Sequence, residues 1–547
     1  MRSPIRSRPR TLPRLRARTL AATALVVALA ATACSGDGGG GEAAGDKKGD
    51  KKSGTSSPSA PTGGSGLGAQ RLSWHGCSAP TTAQGGTGKA PEPLSDGTRW
   101  ECSTLKVPLD YAKPDGSAID LALIRAKARS GASRVGSLVF NFGGPGGSGV
   151  ATLPGFARDY EALRAGYDLV SFDPRGVGES SGVKCQSDKE IDDSNAIDAT
   201  PDDNDELKAA LAANKAYVEA CRKNSGKLLG HVDTTSAARD LDVLRQALGD
   251  DKLHYFGISY GTELGAVYAH LFPKRVGHAV LDAVVDPTQD PLQGDLNQAK
   301  GFQRALEDYM RDCAESVTGC PTGSGPEEGT KRITALLKKL DSEPLPTRDG
   351  RKLTKDQAVN GIASALYSKE TWQYLTRGLQ EATTLGSGNY LQLLADSLSG
   401  RDRNGHYSNL QAANRAITCA DAQQRYDGND VQAWLAKFRK ASPVFGESTA
   451  WSLLSCAGWP VEGRWKTPDV RAAGASPVLV VGNTGDPATP YEGARRMARE
   501  LGKSVGVEVT YKGEGHGAYN SGNGCMTRTV NDYLLHSKVP GNGKTCS

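Results

Sequence analysis

The sequence predicts an α/β fold in which a mostly parallel sheet is flanked by helices and interrupted by one helical insertion. Short apolar runs typical of buried strands, such as 137–142 and 167–173, alternate with helical spacing of apolar residues, as at 235–248. This alternation is the pattern of parallel strands joined by crossover helices. Strand-like runs disappear between 287 and 466, where helical patterns with Gly-rich breaks dominate.

From this pattern we expect one α/β domain in two parts, 71–286 and 467–547, which a helical cap at 287–466 separates. A chain of 547 residues is long enough for such an insertion. The strand pattern returns at 477–481 and 507–511, and an amphipathic helical pattern follows near the end of the chain.

The N-terminus has the pattern of an export signal. Residues 1–33 hold an Arg-rich stretch that ends at Arg18 and an apolar run from 19 to 33, which is too short to span a bilayer comfortably. Small residues precede Cys34, as in a bacterial lipobox, so we expect lipidation at Cys34 to anchor the chain to a membrane. An ordinary secretory signal, cleaved at an A-x-A-like site, is the alternative. Residues 34–70 are rich in Gly, Ser and Lys and indicate a solvated tether.

Charge gives no sign of a nucleic-acid partner. The formal net charge of +5 includes seven Arg within residues 1–33 and becomes −2 once they are removed. A nearly neutral chain has no electrostatic footprint for nucleic acid. Oligomeric state cannot be deduced from the sequence.

Ten cysteines remain when Cys34 is set aside, and an even number in an exported chain predicts disulfides. None of them forms a CxxC pair or a Cys/His cluster typical of zinc, so no metal site is predicted. Many pairings are possible, and the simplest joins neighbours: 77–102, 185–221, 313–320, 419–456 and 525–546.

Ser259 is the predicted nucleophile. It lies at the centre of the sequence GISYG, between a strand-like run at 252–256 and a helical run at 262–271. A G-x-S-x-G match in this strand–turn–helix context predicts a nucleophile elbow, in which the two glycines allow a sharp turn. The structural alternative is an ordinary Gly-rich turn between a strand and a helix.

A serine nucleophile needs a base and an acid that orients the base, and in this fold the order is Ser, acid, His. His516 follows a late strand in the loop GEGHG, whereas His406 lies in the predicted cap and His536 at the end of the last helix. Asp486, in the loop GDPATP, is the predicted acid, and Asp469 is a second candidate. An Asx-turn before the next proline is the structural alternative for Asp486.

The attack creates an oxyanion that must meet backbone N–H donors. We expect one donor at Tyr260, directly after the nucleophile, and the other in the glycine-rich loop GGPGG, at Gly144 or, failing that, at Gly143. That loop lacks the glycine and lysine spacing of nucleotide-binding loops, so no nucleotide or other cofactor is predicted.

Several motifs, in this order, resemble those of one family. They are F-GGPGGSG, FDPRGVGES, GISYG followed by Thr, LDAVVDP, TCAD, GDPATP and GEGHG. Together they resemble the secreted tripeptidyl aminopeptidase-like branch of the prolyl aminopeptidase family, over about residues 74–546. The resemblance implies an α/β-hydrolase fold, the triad Ser259, Asp486 and His516, and cofactor-free release of short peptides from free N-termini. The prolyl branch carries HGGPG where this chain has Asn141-Phe142 before GGPG, which leaves the residue preference open.

An aminopeptidase binds a protonated amine, for which a carboxylate is the natural ligand. Glu263, Asp282 and Asp421 are the candidates, and each could equally have a structural role. A carboxylesterase or lipase would use the same three catalytic residues, and a lipid-anchored binding protein with an inactive hydrolase fold is a third possibility. Retention of all three catalytic residues disfavours the last of these.

Overall fold

A ten-stranded sheet forms the centre of residues 66–547, the part of the chain that the computed structural model describes. The strand order is β1-β2-β3-β5-β4-β6-β7-β10-β11-β12. The strands are β1 (His75–Gly76), β2 (Glu101–Pro108), β3 (Ala118–Ala126), β4 (Gly136–Asn141), β5 (Tyr167–Phe172), β6 (Leu253–Ile258), β7 (Val276–Asp282), β8 (Leu345–Pro346), β9 (Lys352–Leu353), β10 (Val478–Gly485), β11 (Gly506–Glu514) and β12 (Lys544–Cys546). The predicted signal peptide at 1–33, Cys34 and nearly all of the predicted tether at 34–70 lie outside the described residues.

Within residues 66–547, fifteen α-helices accompany these strands. They are α1 (Gly149–Gly155), α2 (Asp188–Ser194), α3 (Asn204–Leu229), α4 (Thr234–Leu248), α5 (Tyr260–Leu271), α6 (Pro291–Ser316), α7 (Pro326–Ser342), α8 (Lys355–Leu366), α9 (Trp372–Gln380), α10 (Asn389–Ser399), α11 (Leu410–Asp421), α12 (Gly428–Ala441), α13 (Gly446–Ser452), α14 (Tyr491–Leu501) and α15 (Gly524–His536). None of the helices within 66–547 is both long and apolar enough to cross a bilayer.

The sheet is parallel from β5 through β4, β6, β7, β10 and β11 to β12, while β1, β2 and β3 pair in the antiparallel sense. Helices cover both faces of the parallel part, so its strands are apolar on both sides and every residue of β4 and β5 is buried. One face packs against α4, α5 and α14 and the other against α1 and α15. The predicted α/β fold, a mostly parallel sheet flanked by helices, is confirmed.

Eight helices, α6 to α13, lie between β7 and β10 and therefore within the predicted cap range. Helices α6 to α10 enclose an apolar core of their own, which includes Leu306, Ile333 and Leu366, whereas the buried residues of α11 belong to the core of the α/β domain. The expectation that strands disappear there is wrong in one detail, because the two-residue strands β8 and β9 pair in the antiparallel sense. Strands this short leave no periodic pattern in a sequence.

Five disulfides join neighbouring cysteines, so the simplest pairing is confirmed. The bonds are 77–102, 185–221, 313–320, 419–456 and 525–546, and they close loops with sequence separations of 7 to 37 residues. Disulfides form and persist in oxidising compartments.

A buried ion pair fixes the loop after β5. The side chain of Arg175 is 0% exposed, and its Nε and Nη2 donate to the Asp240 carboxylate at 2.7 and 2.6 Å. The remaining guanidinium N–H groups donate to the backbone carbonyls of Pro108, Leu109 and His231. The arginine thus connects the loop to α4 and to the end of β2.

Replacing Arg175 by methionine should lower the free energy of unfolding by about 3–5 kcal/mol, because it leaves the Asp240 carboxylate buried without its partner. Guanidinium unfolding under non-reducing conditions would measure the change. Lys106→Met is the matched control, since it removes an ion pair whose side chains are 61% and 51% exposed and should change little. Equal unfolding midpoints for the two variants would contradict a stabilising role for Arg175.

Candidate active site

Four loops meet at the carboxyl edge of the parallel strands, which is where open α/β sheets bind their ligands. They follow β4, β6, β10 and β11, and these strands are neighbours in the sheet apart from β7, which lies between β6 and β10. The loops carry the glycine-rich segment, Ser259, Asp486 and His516 respectively.

Ser259 lies at the sharp turn between β6 and α5. Its backbone has φ 57° and ψ −127°, a conformation that is strained for a residue with a side chain. The glycines on either side allow the turn, because a Cβ at Gly257 would collide with the Gly261 carbonyl and a Cβ at Gly261 would lie 2.5 Å from the Asn141 carbonyl. The Ser259 carbonyl accepts hydrogen bonds from the N–H and hydroxyl of Thr262 at 2.8 and 2.7 Å. This is the geometry of a nucleophile elbow.

Asp486 and His516 are in direct contact. The Nδ1 atom of His516 lies 2.9 and 3.1 Å from the two carboxylate oxygens of Asp486. The Asp486 side chain is 0% exposed, and its carboxylate also accepts the backbone N–H groups of Ala488, Thr489 and Gly517. With Nδ1–H donated to the carboxylate, Nε2 is the ring nitrogen that is free to accept a proton.

The other candidates from the sequence lie elsewhere. Asp469 bonds to Arg471 and lies 3.5 Å from His270, so it is engaged away from His516. His406 Nδ1 contacts the Asp188 carboxylate at 2.9 Å, and His536 is the last residue of α15.

Residues of the predicted cap contact the loops of both Asp486 and His516, and no sequence pattern indicates these contacts. The His516 backbone N–H donates to the Tyr367 carbonyl at 2.8 Å, and the Tyr367 ring meets the imidazole edge-on at 5.1 Å. Arg304 of α6 donates to the Asp486 carbonyl at 2.9 Å. Tyr367 and Thr489, which both contact His516, line the same cavity as Ser259.

The surroundings favour the charged form of His516. Burial disfavours the imidazolium, but the charge and the hydrogen bond of Asp486, with a further contribution from Asp282, outweigh it and raise the pKa of His516 above its ordinary 6.5. A general base must be neutral to accept a proton, so activity should fall as the pH decreases through this raised pKa.

We therefore expect kcat/KM for a neutral short-chain ester to fall on the acid side with a midpoint above pH 6.5, the ordinary pKa of histidine. An uncharged substrate is required because the carboxylates of the cavity would otherwise titrate in the same profile. The measurement is the pH dependence of initial rates at low substrate concentration. A midpoint at or below 6.5 would show that the imidazole is not the titrating base.

Gly144 and Tyr260 line the cavity beside Ser259, and their backbone N–H groups are the predicted oxyanion donors. The Gly143 N–H donates to the Asn141 side-chain oxygen at 3.0 Å, whereas no residue within 66–547 accepts the Gly144 N–H or the Tyr260 N–H. Tyr260 is the first residue of α5, where the backbone N–H has no partner within the helix. Gly144 and Tyr260 both line the cavity, so their N–H groups are available to a ligand oxygen.

The cavity has a volume of about 610 Å³, within the range of ligand-binding sites, and both parts of the α/β domain and the cap line it. Five of its six carboxylates make no ion pair with any residue that the structure describes, among them those of Glu263, Asp295 and Asp421. Burial raises the pKa of Glu263 and of Asp295 to about 7 and raises that of Asp421 as well. Six acidic and four basic side chains line the cavity, so acids predominate, and the carboxylates of Glu263, Asp295 and Asp421 have no ion-pair partner among the described residues.

Asp421 and Asp282, two of the amine-binding candidates, have partners within the protein. The Asp421 carboxylate accepts the N–H and the hydroxyl of Thr234 at 2.8 and 2.6 Å. Asp282 does not line the cavity, and its carboxylate accepts the backbone N–H groups of Ala518 and Tyr519. Asp282 therefore supports the loop that carries His516.

The chain matches one protein-family model in part and several known proteins over most of its length. Residues 442–546 match the family described as TAP-like protein. The chain is 39% identical to serine protease Hip1 of Mycobacterium tuberculosis H37Rv over 81% of this chain and 87% of that protein. It is 37% identical to carboxylesterase B of the same organism over 82% and 86%, and 31% identical to tripeptidyl aminopeptidase of Streptomyces lividans over 82% and 83%.

These relatives match the chain over most of their own length, and the sheet, the elbow at Ser259 and the contact of Asp486 with His516 agree with the same relationship. The membership expected from the motifs is confirmed. The chain belongs to the TAP-like family of serine hydrolases with the α/β-hydrolase fold.

Proposed function

We propose that this protein is a serine aminopeptidase that releases short peptides, of the tripeptide type, from free N-termini. The observation that carries the proposal is that Ser259, at a nucleophile elbow, lines a predominantly acidic cavity in which two other lining residues, Tyr367 and Thr489, contact His516. An acidic cavity suits a cationic substrate, and the N-terminus of a peptide is a cation. Relatives named serine protease and tripeptidyl aminopeptidase support the same reading.

In this mechanism the Ser259 hydroxyl attacks the scissile carbonyl carbon while His516 Nε2 takes its proton. The carbonyl oxygen becomes an oxyanion and accepts the N–H groups of Gly144 and Tyr260. His516 then gives its proton to the leaving amine, and the C–N bond breaks to leave an acyl-enzyme. Water, deprotonated by His516, attacks the ester, and the peptide acid leaves as the proton returns to Ser259. Asp486 fixes the imidazole tautomer and stabilises the imidazolium throughout.

The substrate amine would be bound by a carboxylate of the cavity. Glu263 and Asp421 were candidates from the sequence, and the structure adds Asp295 of α6. Asp282 is not retained as a candidate because its oxygens bond to backbone N–H groups outside the cavity. No sequence pattern pointed to Asp295, since its place in the cavity depends on how the cap packs on the sheet.

A carboxylesterase is the second candidate function. It would use the same three residues, and one relative with 37% identity carries the name carboxylesterase B. An esterase has no need of an unpaired carboxylate beside its nucleophile, which is why the peptidase is preferred.

The proposal includes export and anchoring through a lipid on Cys34, after cleavage of residues 1–33, with 34–70 as tether and 287–466 as cap. Five disulfides support an oxidising location. No metal or cofactor takes part in the proposed mechanism.

The test compares purified protein on three substrates: a tripeptide anilide with a free amine, its N-acetylated form and a short-chain ester. Turnover of the free tripeptide, with loss of about tenfold or more on acetylation, is the expected result because acetylation removes the charge that the cavity binds. Turnover of the ester alone would replace the peptidase by the carboxylesterase.

A further inference from the structure

Glu263 lies one helical turn beyond the nucleophile. It is in the first turn of α5, four residues after Ser259, and both residues line the cavity. Ser259 is the N-cap of α5, and the side chains of a helix lean toward its N-terminus, where Ser259 lies. The Glu263 carboxylate is therefore directed toward the space beside Ser259.

No hydrogen bond or ion pair in the described part of the chain engages this carboxylate. Its neighbour in the cavity wall, Asp421, is already bonded to Thr234, whose hydroxyl also lies 2.5 Å from the Tyr260 hydroxyl. The two acids are close enough for the charge of Glu263 to raise the pKa of Asp421. A cation placed beside Glu263 would relieve this repulsion, and it would be the first counter-charge at that position.

A tripeptide substrate can carry two positive charges, and their distances from the scissile carbonyl determine which of them Glu263 can bind. In an extended tripeptide the α-ammonium lies roughly 9–10 Å from the scissile carbonyl. Glu263, one turn from Ser259, is too near the nucleophile to meet it. The ammonium of a lysine side chain on the residue that supplies the scissile carbonyl lies about 6 Å from that carbonyl. That distance matches a carboxylate one turn away.

The wall beside Glu263 also suits the stem of such a side chain. Val284 and Val285 line the cavity, and the Val285 N–H donates to the hydroxyl of Thr262, the residue before Glu263. Lysine and arginine bury their methylene stems against apolar surface while the charged end meets a partner.

We propose that Glu263 binds the side chain of a lysine or arginine at the cleaved position, the residue that supplies the scissile carbonyl, and that Asp295 of α6 binds the α-ammonium. This assignment rests on the proposed aminopeptidase function. In this assignment the cavity binds two positive charges of the substrate. Binding of the side-chain charge selects the residue at the cleaved bond, and binding of the α-ammonium selects a free N-terminus.

The test uses free-amine tripeptide anilides of the form Ala-Ala-X, with X either lysine or its uncharged isostere norleucine. The wild-type protein should prefer lysine, and Glu263→Gln should lower the ratio of kcat/KM for lysine over norleucine by about 10- to 100-fold, the loss expected for one charge-assisted hydrogen bond. Asp295→Asn should lower kcat/KM for both substrates by a similar factor and keep the ratio. Glu219→Gln, on the exposed surface of α3, is the matched control and should change neither.

Titration with a fluorophosphonate that labels the active serine gives the concentration of intact sites and corrects for misfolded protein. An unchanged lysine-to-norleucine ratio in Glu263→Gln, or a wild-type preference for norleucine, would overturn the assignment while leaving the aminopeptidase in place. Selective loss of dipeptide anilide turnover in that variant, whatever the cleaved residue, would instead make Glu263 the amine ligand. Hydrolysis of esters but of neither tripeptide anilide would overturn both proposals.

Discussion

Replacing Ser259 by alanine should lower kcat for tripeptide anilides by about 10⁴- to 10⁶-fold, because the nucleophilic oxygen is removed and only water can attack. The cavity, the oxyanion donors and the charges remain, so substrate should still bind. Rates are measured with protein free of wild-type contamination, and labelling by the fluorophosphonate should disappear. Residual activity within about tenfold of wild type would exclude Ser259 as the nucleophile.

Folding of the variant serves as the internal check. Ser259 already has a strained backbone conformation with a Cβ in place, so alanine adds no atom that could clash. Thermal unfolding and circular dichroism should therefore match those of the wild-type protein. Ser452→Ala, at an exposed position on α13, is the matched serine control and should retain full activity.

Replacing Asp486 by asparagine should lower kcat by about 10⁴-fold. An amide in this position presents an N–H group to the imidazole and favours the tautomer in which Nε2 carries the proton, so Nε2 can no longer act as a base. Loss of the negative charge also removes the main group that raises the pKa of His516, so the acid limb of any residual activity should move to lower pH.

Asp469→Asn gives the comparison for this result, since Asp469 was the second candidate acid in the sequence and bonds to Arg471 instead. It should retain wild-type kcat and the same pH profile. Equal losses in the two variants would show that the Asp486 contact with His516 is not what the reaction depends on.

The parallel half of the sheet could be predicted from the sequence because its strands are buried on both faces and contain short apolar runs, such as 138–140 in β4 and 478–481 in β10. The antiparallel strand β2 has no such run. In β2 buried Leu105 and Val107 alternate with exposed Thr104 and Lys106. This is the pattern of a strand with one buried face, and it contains no continuous apolar run.

The apolar pattern of the sequence does not predict the helix α3 either, for a different reason. It has 26 residues but buries only Val218, Cys221 and Leu229, so its apolar periodicity is weak. The start of α3 does have a signal in the sequence, because its N-cap is Asp203. The Asp203 side chain accepts the N–H groups of Asp205 and Glu206.

In the candidate site, the sequence predicts those residues that lie in a recognisable local motif. A serine between glycines after a strand, and a histidine and an aspartate after later strands, follow a chain order that the fold imposes. Arg304, Tyr367 and Asp295 come from the cap, whose helices reach the site through packing between segments distant in sequence. Nothing in their immediate neighbours distinguishes them from other cap residues.

The hydrogen bonds from Arg304 to the Asp486 carbonyl and from His516 to the Tyr367 carbonyl have a consequence for how the protein admits its substrate. A cap that swung aside as a rigid lid would break both and release the acid and base loops together. Opening of the cap would therefore be coupled to disruption of the acid–base pair, so the catalytic arrangement is complete only while the cap is in place.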